Sequence, residues 1–442
     1  MVGFHTHQGT LTTPMAQDAH AAYERLKSKL KMQLADVLDD GRHPGQVTAQ
    51  RGELEADLRQ IVRALPEEFR DLNLGPPERE RLVQEVIDEV TSLGPFDHLL
   101  TDPDISEIMV NGPSDIFVER RGRIQRFEGS FRNTDHLMFI IERLLGGAGL
   151  SVNEAEPICD GTLPDGARIN VIIPPLVLNG PVVTIRRKIR EWAMPEYLAT
   201  GALNEQAAQF LQACVRAKVN IVISGGTSTG KTTLVTVLSD CIPHDQRIIT
   251  IENVAELELA GREHWIRMVA KTANLEGRGE IPLRALVKNA LRMRPDRIIL
   301  GEARGGEALD VVQAMHSGHD GFMTVLHANS ARGALERLET LMLMSGIDLS
   351  PSACRMQIAG AVDLVVHMVR FADGTRRVGT IAQVLGSSTE GGFHLEDLFA
   401  FQAEGFGPDG RLKGSVRYTE VTPRFLSKFH LNNVEVPAWV TT

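Results

Sequence analysis

Apolar positions recur at helical spacing through the first part of the chain and then give way to short alternating runs. Residues 15–92 read as a helical module. In "AHAAYERLKSKLKMQLADVLDD", Ala22, Leu26, Leu30, Leu34 and Val37 share one face, and Asp39, Asp40 and Gly41 close the segment. "ELEADLRQIVRAL" and "ERERLVQEVIDEVTSL" repeat the pattern on either side of the Gly-Pro-Pro at 75–77. Their charged faces read as solvated surface, with docking to a partner as the alternative. Residues 1–14 lack the pattern and are expected to be disordered.

From about residue 93 the texture is "EIMVNG", "DIFVER" and "RIQRF", divided by Gly, Pro and Asp. That predicts an α+β domain with hairpins over 93–188. A linker is expected over 189–205 and a larger domain over 206–442. Up to about residue 385 this last part alternates strand and helix signals, as in a largely parallel α/β domain. "VDLVVHMVRFADGTRRVGTIAQVL" reads as a hairpin turning at Asp373-Gly374, and the tail beyond it as mixed and Gly-rich.

The stretch "NIVISGGTSTGKTT", 220–233, fits G-x-x-x-x-G-K-[ST] through Gly225, Gly230, Lys231 and Thr232. A buried strand is predicted before it and a helix, "TLVTVLSDCI", after it, the context in which this pattern holds nucleotide phosphates. Gly225, Gly226, Thr227, Ser228, Thr229 and Gly230 make a loop whose N–H groups can turn toward a β-phosphate. The helix start at Lys231, Thr232 and Thr233 adds its positive dipole end. Lys231 supplies a mobile charge for the β- and γ-phosphates, and the Thr232 hydroxyl is suited to ligate Mg²⁺. ATP and Mg²⁺ are therefore the expected cofactors.

Three further apolar runs end in polar groups. Residues 248–251 deliver Glu252, 298–300 deliver Gly301 and Glu302, and 322–326 deliver His327, with His319 just before. Open α/β sheets bind ligands at the carboxyl ends of their strands. A lone Glu after a strand is usually surface and a lone His usually structural. Their joint occurrence behind one phosphate loop points to a hydrolytic site. A carboxylate there orients or deprotonates water, or holds Mg²⁺ through a water, with Glu302 the expected metal partner beside Thr232. Which of Glu252 and Glu302 is the base stays open. A neutral imidazole can donate to a γ-phosphate oxygen. Arg284, Lys288 and Arg292 form a basic helical stripe, either a solvated face or a contact for nucleotide or a neighbouring subunit.

Composition narrows the function. A formal charge of −10 and 5% aromatics over 442 residues do not advertise a nucleic-acid surface. No guanine-reading Asn-Lys-x-Asp occurs. Cys159, Cys214, Cys241 and Cys354 have no Cys-x-x-Cys spacing and read as scattered reduced thiols, which fits the cytosol. No signal peptide or membrane-spanning run is expected; the most apolar stretch, "INVIIPPLVLNGPVVTI", is broken by three prolines.

Together, "NIVISGGTSTGKTT", "TIENVAEL", "LRMRPDRIILGEARGGEA" and "GHDGFMTVLHANS" resemble the Walker A, Asp box, Walker B and His box of the type II/IV secretion ATPase superfamily. Upstream, "DPDISEIMVNGPSDIFVERRGRI" and "EPICDGTLPDGARINVIIPPLVLNGPVVTIRRK" are similar to the CpaF-type branch, which serves the Tad (Flp) pilus; the resemblance spans roughly residues 80–420. It implies a RecA-like P-loop ATPase domain preceded by a PAS-like α+β domain and a helical module. It implies a homohexamer on the cytoplasmic face of the inner membrane, peripheral to it, working on platform proteins and binding no specific nucleic acid. Glu302, Glu252, His319 and His327 take the family's catalytic positions, and Arg168 and Arg186 match arginines that reach the phosphates. Asn253 departs from the usual Glu-Asp pair, Thr162 replaces a common arginine, and the zinc module of many type II ATPases is missing. The expected function is a hydrolytic motor for Tad pilus assembly or secretion. A type IV secretion ATPase is the alternative, and a nucleic-acid motor a more distant one.

Overall fold

In the computed structural model of the chain, the described residues are 74–120, 122–187, 192–271, 278–388, 391–408 and 410–440, with the helix Arg51–Arg63 and single positions between 22 and 72. The expected disorder at 1–14, most of the first predicted helix and the start of the expected linker lie outside them. The chain divides into two compact units between Arg187 and Lys188.

In the first unit the helices Arg51–Arg63 and Pro76–Thr91 pack through Leu58, Val62, Leu82, Val83, Val86 and Ile87. Six strands follow: β1 (Ile105–Asn111), β2 (Ile116–Arg120), β3 (Arg123–Arg126), β4 (Ile158–Thr162), β5 (Arg168–Ile172) and β6 (Val182–Arg186). They form an antiparallel sheet in the order β3-β2-β1-β6-β5-β4. Alternation puts Ile108 and Val110 of β1, Ile169 and Val171 of β5, and Val183 and Ile185 of β6 into one core. The helix Thr134–Gly146 joins it through Leu137, Ile140, Ile141 and Leu145. Asn133 caps that helix, its side-chain oxygen accepting from His136 N at 2.9 Å.

The second unit is built on nine strands: β7 (Ile221–Gly225), β8 (Ile248–Glu252), β9 (Trp265–Val269), β10 (Arg297–Leu300), β11 (Met323–His327), β12 (Leu364–Arg370), β13 (Arg376–Ser387), β14 (Phe393–Phe406) and β15 (Leu412–Tyr418). Their order is β15-β14-β13-β12-β7-β11-β10-β8-β9. From β12 to β9 all neighbours are parallel, and from β12 to β15 antiparallel. Successive side chains face opposite sides of the sheet. Ile221, Ile223, Met323 and Val325 enter the core shared with the helices Glu205–Arg216 and Lys231–Ser239. Val222, Ile249, Ile251 and Leu326 enter the core under Leu283–Ala290, Glu307–His316, Ala331–Leu343 and Pro351–Ala361. Burial on both faces explains why these strands read as unbroken apolar runs.

The hairpin at Asp373-Gly374 joins β12 to β13: Phe371 N donates to Thr375 O at 2.9 Å, and Gly374 adopts φ 83°. The tail is more regular than its composition predicts. Beyond the hairpin, β14 and β15 add two strands to the main sheet, with register shifts at Ile381/Ala382, Val384/Gly386 and Ala403/Gly405. Those bulges break the two-residue period that would have announced the strands.

Candidate functional site

The phosphate-loop segment leaves the carboxyl end of β7. Gly225 adopts φ 154°, and a Cβ there would stand 2.5 Å from Met368 O and 2.7 Å from Thr229 Oγ1. No other residue fits. Ser228 (φ 56°) and Gly230 (φ 93°) are left-handed, so the backbone curls before the helix begins at Lys231. Lys231 is buried, and its Nζ donates to Gly226 O at 2.6 Å and Gly225 O at 3.1 Å. Thr229 Oγ1 donates to Gly226 O at 3.0 Å, tightening the loop.

Parallel register sets the other side chains around it. His327 is opposite Gly225 across the β11–β7 pair, and Leu300 of β10 is flanked by Thr324 and Ile251. Glu302 and His327 consequently meet at the carboxyl edge, Oε1 to Nε2 at 3.4 Å. The second Glu302 oxygen accepts from Arg304 Nη2 at 2.8 Å. Burial holds the His327 pKa below its usual value, the nearby Lys231 ammonium and Arg304 pushing the same way against Glu302. The imidazole is accordingly neutral at pH 7.

Glu252 ends β8 and is buried against Gly301, where a Cβ would come within 2.9 Å of its Cγ. Its Oε1 accepts from Glu256 N and Leu257 N, both at 2.9 Å. Burial raises its pKa, and these two N–H groups oppose the rise. Glu252 thus organises the turn after β8 as well as lining the edge.

That turn supplies a residue sequence reasoning missed. Glu256 Oε2 lies 3.5 Å from Thr232 Oγ1, bringing a carboxylate to the hydroxyl that the motif assigns to a metal. Its signal was the repeat of Glu four residues after Glu252. His367 was also missed. It pairs with Ser224 across β12–β7, its Nδ1 3.0 Å from Ser224 Oγ, and burial, then Lys231, lowers its pKa.

His319 lies apart from the other candidate residues in this unit. It precedes β11, at the amino edge of the sheet, its N–H donating to Ala314 O at 3.2 Å and its Nδ1 3.3 Å from Ser317 Oγ. The strand between it and His327 rises about 3.3 Å per residue, so the two edges stand roughly 13 Å apart. The amino edge is tied down instead by Asn220, whose Oδ1 accepts from Gly321 N and Phe322 N, and by Lys428, 2.7 Å from both Asp320 and Asp363. Within this unit, therefore, His319 does not join the phosphate loop.

Arg168 and Arg186 belong to the first unit, where they pair across β5 and β6; Arg168 Nη2 is 3.9 Å from Asp160. Of the basic stripe, Arg284 and Lys288 lie 2.7 and 3.6 Å from the buried Asp310, and Arg284 also donates to Ser345 O. Those charges are engaged inside the unit, which leaves Arg292 exposed.

The residues fit a magnesium nucleotide. The Gly225 cradle would be filled by a Cβ, a lysine sits on the loop carbonyls, and a hydroxyl and a carboxylate lie beside each other as hard oxygen donors. Among the described residues no cluster of three His, Cys, Asp or Glu could hold a metal unaided. A cation here would take its remaining ligands from phosphate and water, as Mg²⁺ commonly does.

The chain is similar to several known proteins. The family model described as type II/IV secretion system protein matches residues 89–408. A putative conjugal transfer protein of Mycobacterium tuberculosis is 32% identical over 301 residues, 66% of this chain and 85% of the relative. The type IV secretion system protein VirB11 of Brucella suis is 32% identical over 313 residues, 64% of this chain and 87% of the relative. The crystal structure of the Brucella suis VirB11 ATPase with sulphate aligns at 29% identity and TM-score 0.37, covering 65% of this chain and 94% of that one. The pilus retraction motor PilT with bound ADP aligns at 16% identity and TM-score 0.44, covering 77% and 86%.

Proposed function

Because the chain belongs to the type II/IV secretion system protein family, we propose that it is a Mg²⁺-dependent ATPase that drives a pilus-assembly or secretion machine. The observation that carries the reading is the meeting of Glu302 and His327 beside the phosphate loop of β7.

ATP supplies the phosphoanhydride, and Mg²⁺ supplies charge neutralisation at its oxygens. The loop N–H groups from Gly226 to Lys231 bind the phosphates, and Lys231 moves its ammonium from the loop carbonyls to their oxygens. Thr232, backed by Glu256, would hold the cation, with Glu302 as the further partner its carboxylate chemistry suggests; Glu302 is also the group assigned to accept the proton of the attacking water. Neutral His327 carries a single N–H, which faces Glu302 and keeps that carboxylate oriented through one oxygen. Glu252 holds the turn that carries Glu256. Arg168 and Arg186 are extended to nucleotide contact on the family resemblance alone.

The motor is a homohexamer, peripheral to the cytoplasmic face of the inner membrane and docked on platform proteins. Among the described residues no helix is long and apolar enough to cross a membrane. We favour Tad (Flp) pilus assembly, from the similarity of "DPDISEIMVNG" and "TLPDGARINVIIPP" to that branch. Type IV secretion is the second reading, favoured by the conjugal-transfer and VirB11 names of the relatives. Finding prepilin and prepilin peptidase genes beside this one would support the first, and finding conjugation genes the second.

The chemistry is tested on purified full-length protein. Lys231→Ala should abolish ATP binding and hydrolysis. Glu302→Gln should keep binding and lose turnover by about 10²-fold or more. Undiminished phosphate release in either variant removes that assignment.

A further inference from the structure

The strand β10 ends at Leu300, and Glu302 stands just beyond it, on the loop that leads into the helix Glu307–His316. A side chain on a loop is aimed only as well as the backbone beneath it. Consecutive N–H groups of this loop have fixed partners. Ala303 N donates to Val325 O of β11 at 3.0 Å. Arg304 N and Gly305 N both donate to one oxygen of Glu307, Oε1, at 2.7 and 2.8 Å. The Glu307 side chain is buried, and its other oxygen would stand 3.1 Å from a Cβ on Gly305. Gly306, which precedes the helix, offers no side-chain cap. Ser345 backs the loop from behind: a Cβ on Gly306 would lie 2.8 Å from its Cα, and its carbonyl is held by Arg284.

Arg304 carries that backbone geometry to Glu302. Its Nη2 donates to Glu302 Oε2 at 2.8 Å, yet its side chain is 56% exposed. Packing therefore does not fix the guanidinium; the direction in which it leaves the backbone does. With the Arg304 N–H released, the guanidinium is free to turn to water, and Glu302 keeps only His327 on its other oxygen. A misplacement of about 1 Å in a reacting group can cost about 10²-fold in rate.

Resting on the ATPase reading, we propose that Glu307 is a positioning residue for the hydrolytic carboxylate: it pins the backbone of Arg304 and Gly305, and through Arg304 it aims Glu302. A carboxylate at the start of a helix also favours the positive end of the dipole, a role in which charge alone counts. The two roles rank substitutions differently. Positioning needs an acceptor oxygen at the reach of Glu307, charged or not; the dipole needs the charge, at either length.

Steady-state hydrolysis and ATP titration on purified full-length protein separate them. Glu307→Ala should lower kcat about tenfold or more and leave ATP affinity within about twofold of wild type. Glu307→Gln keeps an oxygen with two lone pairs at the same reach, and should stay within about threefold of wild-type kcat. Glu307→Asp keeps the charge but is one methylene short, and should fall with alanine. The contrast of glutamine with aspartate decides the point even if the alanine variant does not fold. Arg304→Ala should be slow as well, and adding Glu307→Ala to it should cost little more, because both act along one path. Aspartate matching wild type while glutamine falls would assign Glu307 to the dipole and overturn the proposal. So would full kcat in Glu307→Ala, equal losses of turnover and ATP affinity, or additive losses in the double variant. Wild-type protein that hydrolysed no ATP would instead remove the ATPase reading itself.

Discussion

His327 Nε2 faces Glu302 Oε1 across 3.4 Å, from the ends of neighbouring parallel strands, with Arg304 on the other Glu302 oxygen. A carboxylate held on both oxygens is aimed before any nucleotide arrives, so little reorganisation is needed at the moment of reaction.

The first prediction follows from that contact. His327→Ala should slow phosphate release by roughly 10- to 100-fold while leaving ATP affinity nearly unchanged, because the ring orients the base and supplies no phosphate cradle. His327→Gln, which keeps an N–H donor, should retain more activity than the alanine variant. Steady-state hydrolysis and ATP titration on the same preparations check both points. A loss confined to affinity would show that His327 is a binding group.

Gly301 tests the neighbouring carboxylate without altering it. An added methyl would lie 2.9 Å from Glu252 Cγ and 3.4 Å from its Oε1, forcing aside the side chain that anchors the turn at Glu256 and Leu257. Gly301→Ala should cost about 1–3 kcal/mol of stability and lower hydrolysis at least about tenfold. Gly386→Ala, with nothing within 4 Å of the new methyl, should be neutral to about 0.5 kcal/mol. Denaturant titrations of the two variants beside wild type decide whether the first is a local displacement.

His367 makes stability depend on pH. Burial, and then Lys231, hold its native pKa below the ordinary histidine value of about 6.5. The unfolded chain therefore binds the proton more readily. Its contribution is present above about pH 6.5 and is lost as pH falls from there toward the depressed native value. His367→Gln, which cannot titrate, should flatten this acid-side loss. Urea midpoints between pH 5 and 7.5 measure it, and equal slopes for variant and wild type would show that the protonation is not coupled to folding.

Local features were legible wherever a short stretch of chain carried the whole constraint. The phosphate loop is such a case, since its glycines, lysine and threonine act through backbone they themselves shape. Apolar runs ending in Glu252, Glu302 and His327 were legible because strands buried on both faces admit few polar residues before their ends. His319 stands apart from His327 for the complementary reason. Eight positions is close in sequence, but the intervening strand carries the chain from one edge of the sheet to the other. The strands of the tail, β14 and β15, were hidden by the irregular register at Gly386 and Gly405.

By itself the sequence determined a nucleotide loop, the acidic and imidazole strand ends that accompany it, and a division into a hairpin-rich domain and a parallel α/β domain. Each rests on short-range periodicity or on backbone freedom at particular glycines. Only the tertiary structure decided which strands flank β7, and with that the meeting of Glu302 with His327 and of Glu256 with Thr232. Strand order arises from the packing of helices on both faces of the whole sheet, a sum over distant contacts that no local pattern records.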